Sequence, residues 1–280
     1  MGHMLHTLIV SALSAVILMG SVCRAGDATY IVSVVPQFSP TQIYRDWKPL
    51  LTRLEEVTGL RFQLRTYDQI TSFETDLVRG LPDLALMNPY QMVYAKQTHS
   101  YRALVRDNAT LAGILVTRAD GPIKSLADLN GKVLAFPSPN ALGASLYMRA
   151  LLVEEKGLKF TPDYVGNHQN VYRQVLLGDA AAGGGVRNTL DKEPEGVQSK
   201  LRILYTTPEL AIHPLAAHPR IPAADSKKIV DALLAMRLSA TDRKLLFNVQ
   251  MPNIIEADFQ RDYEPLVLLR LGRHANKMGQ

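Results

Sequence analysis

The segment AFPSPNALGASLYMRALLVEEKG, residues 135–157, contains the elements that decide the fold. It begins as a short apolar strand that ends at Phe136, and it ends as an amphipathic helix that Gly157 stops. The polar turn PSPN, residues 137–140, lies between them and cannot pack as core. A strand that leads through a polar turn into a helix is the repeating unit of α/β folds, in which ligands bind where strands end.

The PSPN turn has the chemistry of an anion site. Ser138 and Asn140 bring a hydroxyl and an amide to the start of the helix. The free N–H groups of the first helical residues point the same way, and they belong to Ala141, Leu142 and Gly143. Together with the helix dipole, these donors favour a negative charge. The glycine-lysine pattern of nucleotide P-loops is absent. The alternative to an anion site is that Asn140 serves only as a structural cap of the helix.

The same alternation of strand and helix extends outward from this segment. It covers residues 30–117 and again 125–206, which predicts an α/β fold with two lobes, each a mainly parallel sheet flanked by helices. Later helices are predicted near 226–237, 241–249 and 263–274, with few strands of their own. We therefore expect them to pack back on the first lobe.

This arrangement predicts the domain boundaries. Residues 27–117 plus 207–280 form lobe 1, and residues 118–206 form lobe 2. The chain then crosses between the lobes twice, near 110–120 and near 205–215. Two crossings make a hinge, and a cleft between hinged lobes is a preferred ligand site.

Further candidate donors lie at other predicted turns. His168 precedes a predicted helix that contains Tyr172, and a loop histidine can donate to an anion and add positive charge when protonated. Tyr44 and Tyr90 are candidate phenolic donors. The alternative is that their rings pack against the protein while the hydroxyl groups contact only water. The segment AAAGGG, residues 180–185, has almost no side chains, so a large group or another backbone must approach it.

The sequence favours neither an enzyme nor a metal or cofactor protein. It has no HExxH, nucleophile-elbow, CxxC or paired-carboxylate motif. His213 and His218 lie five residues apart in a proline-broken segment, with no acidic partner for a metal site. The lysines and arginines are scattered, which disfavours nucleic-acid binding, and the formal net charge of +5 mildly favours small anionic ligands.

Residues 1–25 have the pattern of a secretory signal peptide. The run from Leu8 to Gly20 carries no charge and is shorter than a membrane span, and small residues precede a cleavage point after Ala25. Cleavage there would remove Cys23, the only cysteine of the chain, although a lipidated Cys23 is the alternative. The expected location of the mature protein is the periplasm.

Three segments together resemble the periplasmic phosphonate, phosphite and phosphate-binding proteins of ABC transporters. They are VVPQFSPTQIYRDWKPLLTRLEEVTG from residue 34, PIKSLADLNGKVLAFPSP from residue 122 leading to GASLYMRALL, and HQNVYRQVLLGDAAAGGGV from residue 168. The likeness covers nearly all of residues 30–270. It implies the two-lobed, hinged type II fold of substrate-binding proteins.

The resemblance also implies which residues hold the ligand. In the family, hydroxyls and backbone N–H groups at the helix start grip the oxyanion, and a histidine and first-lobe tyrosines contribute. The predicted ligand-binding residues in this chain are Ser138, Asn140, Ala141, Leu142, Gly143, His168, Tyr44, Tyr90, Asn88 and Tyr172. No acidic side chain lies in residues 180–185 to bind an amine, which favours a ligand without one.

The sequence therefore predicts a solute-binding protein that holds a small oxyanion between its lobes. The expected ligand is phosphate, phosphite or an alkylphosphonate, and the expected partner is an ABC permease in the inner membrane. The alternative function is a periplasmic partner that presents a ligand to a sensor histidine kinase, for another oxyanion such as arsenite, arsenate or selenite.

Overall fold

Strands and helices alternate along residues 29–279, which are the residues that the computed structural model describes. The strands are β1 (Thr29–Val34), β2 (Arg61–Arg65), β3 (Leu84–Leu86), β4 (Arg102–Asp107), β5 (Thr110–Leu111), β6 (Gly113–Arg118), β7 (Val133–Phe136), β8 (Thr161–Tyr164), β9 (Ala182–Val186), β10 (Leu201–Thr206), β11 (Leu210–Ala211), β12 (Pro214–Ala217) and β13 (Ile254–Glu256). The predicted signal peptide and Cys23 lie outside the described residues.

The helices follow the predicted order, with small shifts at their ends. They are α1 (Pro40–Thr58), α2 (Ile70–Val78), α3 (Pro89–His99), α4 (142–155), α5 (His168–Leu177), α6 (Arg187–Leu190), α7 (Glu195–Gln198), α8 (Ala223–Met236), α9 (Ala240–Asn248) and α10 (Phe259–Asp262). α4 consists of a π-type turn, an α-helical turn and a second π-type turn. Within residues 29–279, no helix combines the length and apolar character of a membrane span.

The sheet of the first lobe has the strand order β13-β4-β12-β3-β1-β2. β1 pairs in parallel with β2 and β3, as the strand-helix alternation predicts. The other half of the sheet is antiparallel, because β12 runs against β3 and β4, and β13 runs against β4. The expectation of a mainly parallel sheet is wrong for this half, where the chain returns from the second lobe through β12 in the opposite direction.

The sheet of the second lobe has the strand order β10-β6-β9-β7-β8. β7 pairs in parallel with β8 and β9, whereas β6 runs against both β9 and β10. β6 and β10 carry the chain into and out of this lobe. Neither joins its neighbour through a crossover helix, so nothing imposes a parallel pairing on them. This sheet is therefore also mixed, with helices on its faces.

The two crossings between the lobes pair with each other. β5 and β11 form an antiparallel two-stranded ribbon in which Leu111 lies opposite Leu210. Both crossings fall in the predicted intervals. β6 belongs to the second sheet, and its residues Ile114 and Val116 pack in that lobe's core, so the first crossing precedes Gly113 and lies earlier than the expected boundary at residue 118.

The C-terminal helices return to the first lobe, as expected. Ile229 of α8 and Leu246 of α9 share one hydrophobic core with Trp47 of α1. The helix predicted over 263–274 is wrong, because Arg270 takes a left-handed conformation with φ 49° that ends a helical segment. Short 3₁₀ turns, Glu264–Leu269 and Leu271–Arg273, stand in its place.

Candidate ligand-binding cleft

A small cavity lies between the two lobes. Its volume is about 20 Å³, which is room for about one water molecule. Residues from both lobes and the ribbon line it: Val35, Gln37, Ile70, Asn88, Leu111, Ala141, Leu142, Gly143, Ala144, His168, Val186 and His213. Val35 directly follows β1, Asn88 lies two residues after β3, and Val186 is the last residue of β9, so the cavity lies at the carboxyl ends of parallel strands, where α/β proteins bind ligands.

A wider groove lies on the outside of the second lobe. Its volume is about 800 Å³, and Lys132 and Ala181 are among its lining residues. These residues directly precede β7 and β9. The groove therefore lies at the amino ends of the parallel strands, which is the end of the sheet opposite to the ligand sites of such folds.

The start of α4 presents unpaired backbone donors to the cavity. The hydrogen bonds of the helix begin with the N–H groups of Ser145 and Leu146, which donate to the carbonyl of Ala141 at 2.8 and 3.0 Å. Among the described residues, the N–H groups of Leu142, Gly143 and Ala144 donate to no acceptor, although all three residues line the cavity. Free N–H groups and the helix dipole make this end of α4 a place for a negative charge.

Ser138 adds an unpaired hydroxyl in the turn before α4. The residue is 2% exposed, and its Oγ has no hydrogen-bond partner among residues 29–279. A buried hydroxyl without a partner costs free energy, and such a group needs an explanation. A bound oxyanion that accepts from this hydroxyl is one.

Glycines of β6 and β9 allow the backbone of α4 to come close to the sheet. A Cβ atom on Gly184 would lie 1.9 Å from the carbonyl oxygen of Ala144, and a Cβ atom on Gly113 would lie 2.0 Å from that of Gly143. Gly184 therefore lacks a side chain because the α4 backbone packs directly against it, whereas Gly183 and Gly185 leave room for the side chains of Val171 and Tyr172 of α5. This close contact places the free N–H groups of α4 at the cavity.

Asn140 is a connection between the lobes, and its polar groups are occupied by protein. Its Nδ2 donates to Glu74 Oε2 at 3.3 Å and to the Asn276 carbonyl at 3.2 Å, and its Oδ1 accepts from the Asn276 N–H at 3.0 Å. Its own carbonyl accepts from Asn88 Nδ2 at 3.1 Å. Asn140 does not line the cavity, so the structure places it beside the predicted site.

His168 lines the cavity as the first residue of α5, rather than in the loop before it. It is buried, and its Nδ1 lies 3.4 Å from Thr189 Oγ1. Burial, with a smaller contribution from His213, lowers the pKa of His168 to about 3. The side chain is therefore neutral near pH 7 and offers a hydrogen bond, without the positive charge that the sequence led us to expect.

Tyr172 is linked to His168 through Thr189. Its hydroxyl lies 2.7 Å from Thr189 Oγ1, and its ring is fully buried against Gly185. Tyr172 does not line the cavity. It orients Thr189, which in turn contacts the histidine ring.

The first-lobe tyrosines do not reach the cavity. Tyr44 is 56% exposed on α1, and Tyr90 is half-buried at the start of α3. Asn88 does line the cavity, although its Oδ1 also accepts from the N–H of Gln91 and caps α3. The tyrosine contacts implied by the resemblance are therefore not assembled in this closed form.

Three residues near the cleft were missed as site residues from the sequence. Gln37 and His213 line the cavity, and burial lowers the pKa of His213 to about 4. His213 lies inside the predicted second crossing between the lobes, and this position could have identified it as a cleft residue from the sequence. Glu74 is a buried carboxylate behind Asn140 whose pKa burial raises, and its Oε1 accepts from Gln91 at 3.0 Å.

His218 lies away from the cleft and does not join His213. Its ring packs 5.0 Å from that of Tyr101. Within residues 29–279, no group of three or more histidine, cysteine, aspartate or glutamate side chains is positioned to hold a metal ion.

Comparison with known families gives a match over most of the chain. The profile of the family described as the periplasmic substrate-binding protein of the phosphonate ABC transporter matches residues 32–263. That interval contains every residue that lines the cavity and both sheets except the first three residues of β1.

Several solved structures have a similar fold. A binding protein component of an ABC phosphonate transporter from Pseudomonas aeruginosa is 14% identical, with a TM-score of 0.80 over 89% of this chain and 88% of that one. PhnD1 from Prochlorococcus marinus, in complex with methylphosphonate, is 15% identical, with a TM-score of 0.78 over 88% and 97% of the two chains. A Xanthomonas citri protein bound to chloride ion is 18% identical, with a TM-score of 0.72 over 88% and 99%.

Proposed function

The chain belongs to the family of periplasmic substrate-binding proteins of phosphonate ABC transporters, and we propose that it binds a small phosphorus oxyanion between its lobes. The ligand class is an alkylphosphonate, phosphite or phosphate. The observation that carries this proposal is the set of three unpaired N–H groups at the start of α4, which face a cavity lined by both lobes.

The donors around the cavity support an anion as ligand. The neutral rings of His168 and His213 can each donate one N–H, and Ser138, three residues before the first lining residue of the α4 start, adds a buried hydroxyl without a partner among residues 29–279. The nearby carboxylate of Glu74 is turned to other partners, because its oxygens accept from Gln91 and Asn140. Donors thus outnumber acceptors where the ligand would sit.

Binding requires the lobes to move. A cavity of about 20 Å³ does not admit a phosphonate, so the lobes must separate for entry and close less tightly around the ligand. The ribbon of β5 and β11 is the hinge for this motion. Closure is favoured by the ligand because only the closed form places donors from both lobes around it.

We also propose a cellular location and a transport partner for this protein. Cleavage after Ala25 releases the protein into the periplasm, and an ABC permease accepts the ligand from the closed protein. The protein releases its ligand unchanged and catalyses no reaction. The alternative of a sensor kinase has no observation in its favour, since the family description names a transporter.

A ligand panel on the protein, stripped by unfolding and refolding, tests the proposal. The panel is methylphosphonate, aminoethylphosphonate, phosphite, phosphate, arsenate and sulfate. A ligand present at a hundred times its dissociation constant stabilises the fold by about 2.7 kcal/mol, which raises the melting temperature by a few degrees. A rise with a phosphorus oxyanion alone is the expected result. A flat panel, or a rise with sulfate alone, would overturn the ligand assignment.

A further inference from the structure

Arg149 lies on α4 behind the PSPN turn and makes three hydrogen bonds. Its Nη2 donates to the carbonyls of Pro139 and His274, both at 2.8 Å, and its Nε donates to Ser145 Oγ at 3.1 Å. Its guanidinium carbon also lies 5.6 Å from the centre of the Tyr164 ring. Arg149 therefore ties the turn, the helix and the C-terminal segment together.

All of these contacts are with neutral groups. No carboxylate of residues 29–279 lies within 4.0 Å of the guanidinium, although its environment is partly buried and burial lowers its pKa. Arg106 and Arg220, in the first lobe, each pair with an aspartate at 3.0 and 3.1 Å. The nearest acid on the same helix, Glu154, is paired with Arg273 and His274 instead. Among residues 29–279, the charge of Arg149 thus has no carboxylate partner within 4.0 Å.

The position of Arg149 connects this charge to the anion site. Pro139, whose carbonyl it binds, is the residue after Ser138, and Ser145 donates to the same carbonyl at 3.4 Å. Arg149 does not line the cavity, and it reaches the turn through the Pro139 carbonyl. A partly buried charge is costly without a partner, and an anion held by the turn would offset part of that cost through Coulomb attraction.

We propose that Arg149 is a positioning and specificity-determining residue that fixes the PSPN turn and selects doubly charged over singly charged oxyanions. This inference rests on the proposed function. Coulomb attraction scales with the charge of the ligand, so a dianion gains twice what a monoanion of the same shape gains. Groups that only donate hydrogen bonds discriminate less between the two. The ligand class is thus a tetrahedral dianion, such as an alkylphosphonate above its second pKa.

The test compares methylphosphonate with methanesulfonate, two ligands of the same shape. At about pH 9, methylphosphonate carries two negative charges and methanesulfonate carries one. Calorimetry gives the affinity ratio for wild-type protein, Arg149→Gln and Arg149→Lys. We expect Arg149→Gln to lose roughly 100-fold in affinity for the dianion and roughly 10-fold for the monoanion, so that the ratio falls about tenfold. Arg149→Lys keeps the positive charge but loses the planar guanidinium that makes several hydrogen bonds at once. Both affinities should therefore fall, while the ratio of dianion to monoanion affinity is retained.

Arg202→Gln is the matched control, because Arg202 of β10 also donates to a backbone carbonyl, that of Ile123, outside the cleft. It should leave the ratio unchanged. Equal losses for both ligands in Arg149→Gln would overturn the selectivity and leave a structural role only. If that variant does not fold, Arg149→Lys decides: a retained ratio with both affinities lowered supports the proposal, and a collapsed ratio or two wild-type affinities overturn it. Wild-type protein that binds neither ligand would instead refute the proposed function.

Discussion

The two walls of the cleft use different chemistry. The wall from the second lobe presents mainly backbone N–H groups at the start of α4, which packing against glycines holds in place, together with the side chain of His168. The wall from the first lobe presents side chains, namely Gln37, Asn88 and His213. Backbone donors survive side-chain substitutions that leave the helix where it is, whereas side-chain donors depend on single residues. The second-lobe wall is therefore most sensitive to packing, and the first-lobe wall to residue identity.

Breaking the packing of the second-lobe wall should have the largest effect. In Gly184→Ala, the new methyl group would lie 1.9 Å from the Ala144 carbonyl and 2.6 Å from the Phe136 ring, so α4 must move off the sheet. We expect a loss of about 3 kcal/mol in the free energy of unfolding, measured in urea, and a large loss of ligand affinity. Gly196→Ala is the control, since no atom lies within 4 Å of its Cβ position. Equal stability of the two variants would contradict the packing argument.

Cutting the connection between the walls should have the next largest effect. Asn140→Ala removes hydrogen bonds to Glu74 and Asn276 and leaves a buried carboxylate with one donor fewer. We expect the ligand-free protein to lose about 2 kcal/mol of stability and to become more open in small-angle scattering. If stability is unchanged while binding is abolished, Asn140 is a ligand donor, as the sequence suggested, and our structural assignment is wrong.

Removing one side-chain donor of the second-lobe wall should weaken binding without lowering stability. The Ser138 hydroxyl has no partner among residues 29–279 and its burial costs free energy, so Ser138→Ala should keep or slightly raise the ligand-free stability. Affinity for a charged ligand should fall by about 1.5 kcal/mol, which calorimetry can measure. Ser199→Ala, at an exposed position, serves as control. Wild-type affinity in Ser138→Ala would show that the hydroxyl does not contact the ligand.

The buried histidines should make stability depend on pH. The pKa of His168, about 3, lies below the value of about 6.5 in the unfolded chain, so the unfolded state binds the proton more readily. Stability is therefore full above pH 6.5 and declines as the pH falls towards 3. At pH 5.5 each such histidine costs about 1.4 kcal/mol, and His168→Gln should recover about 1 kcal/mol of that loss. An unchanged profile in the variant would show that His168 is not held neutral.

The exposed tyrosine of the first lobe should have the smallest effect. Tyr44→Phe alters only a solvent-facing hydroxyl on α1, so stability and affinity should each change by less than about 0.5 kcal/mol. A tenfold loss of affinity in calorimetry would mean that Tyr44 reaches the ligand in another lobe arrangement. The first-lobe wall would then include a residue that the closed form keeps outside.

Local patterns predicted much of the fold correctly. Ser39 caps α1 and Gly59 ends it in a left-handed conformation, as the sequence around them predicts. The antiparallel halves of the sheets were missed, because β6 and β12 follow the ribbon strands β5 and β11 without a crossover helix and their pairing joins distant segments. The sequence could have predicted that Tyr44 points away from the core, since Ile43 and Trp47 mark the buried face of the same helix.

The residues of the site divide in the same way. By itself, the sequence determined that a helix begins after PSPN and that a strand almost without side chains lies at 180–185, because helix starts and small-residue runs are written in consecutive residues. Only the tertiary structure decided that His168 is neutral and that Asn140 is used up within the protein. Those outcomes depend on burial and on partners 52, 66 and 136 residues away along the chain, which local spacing does not encode.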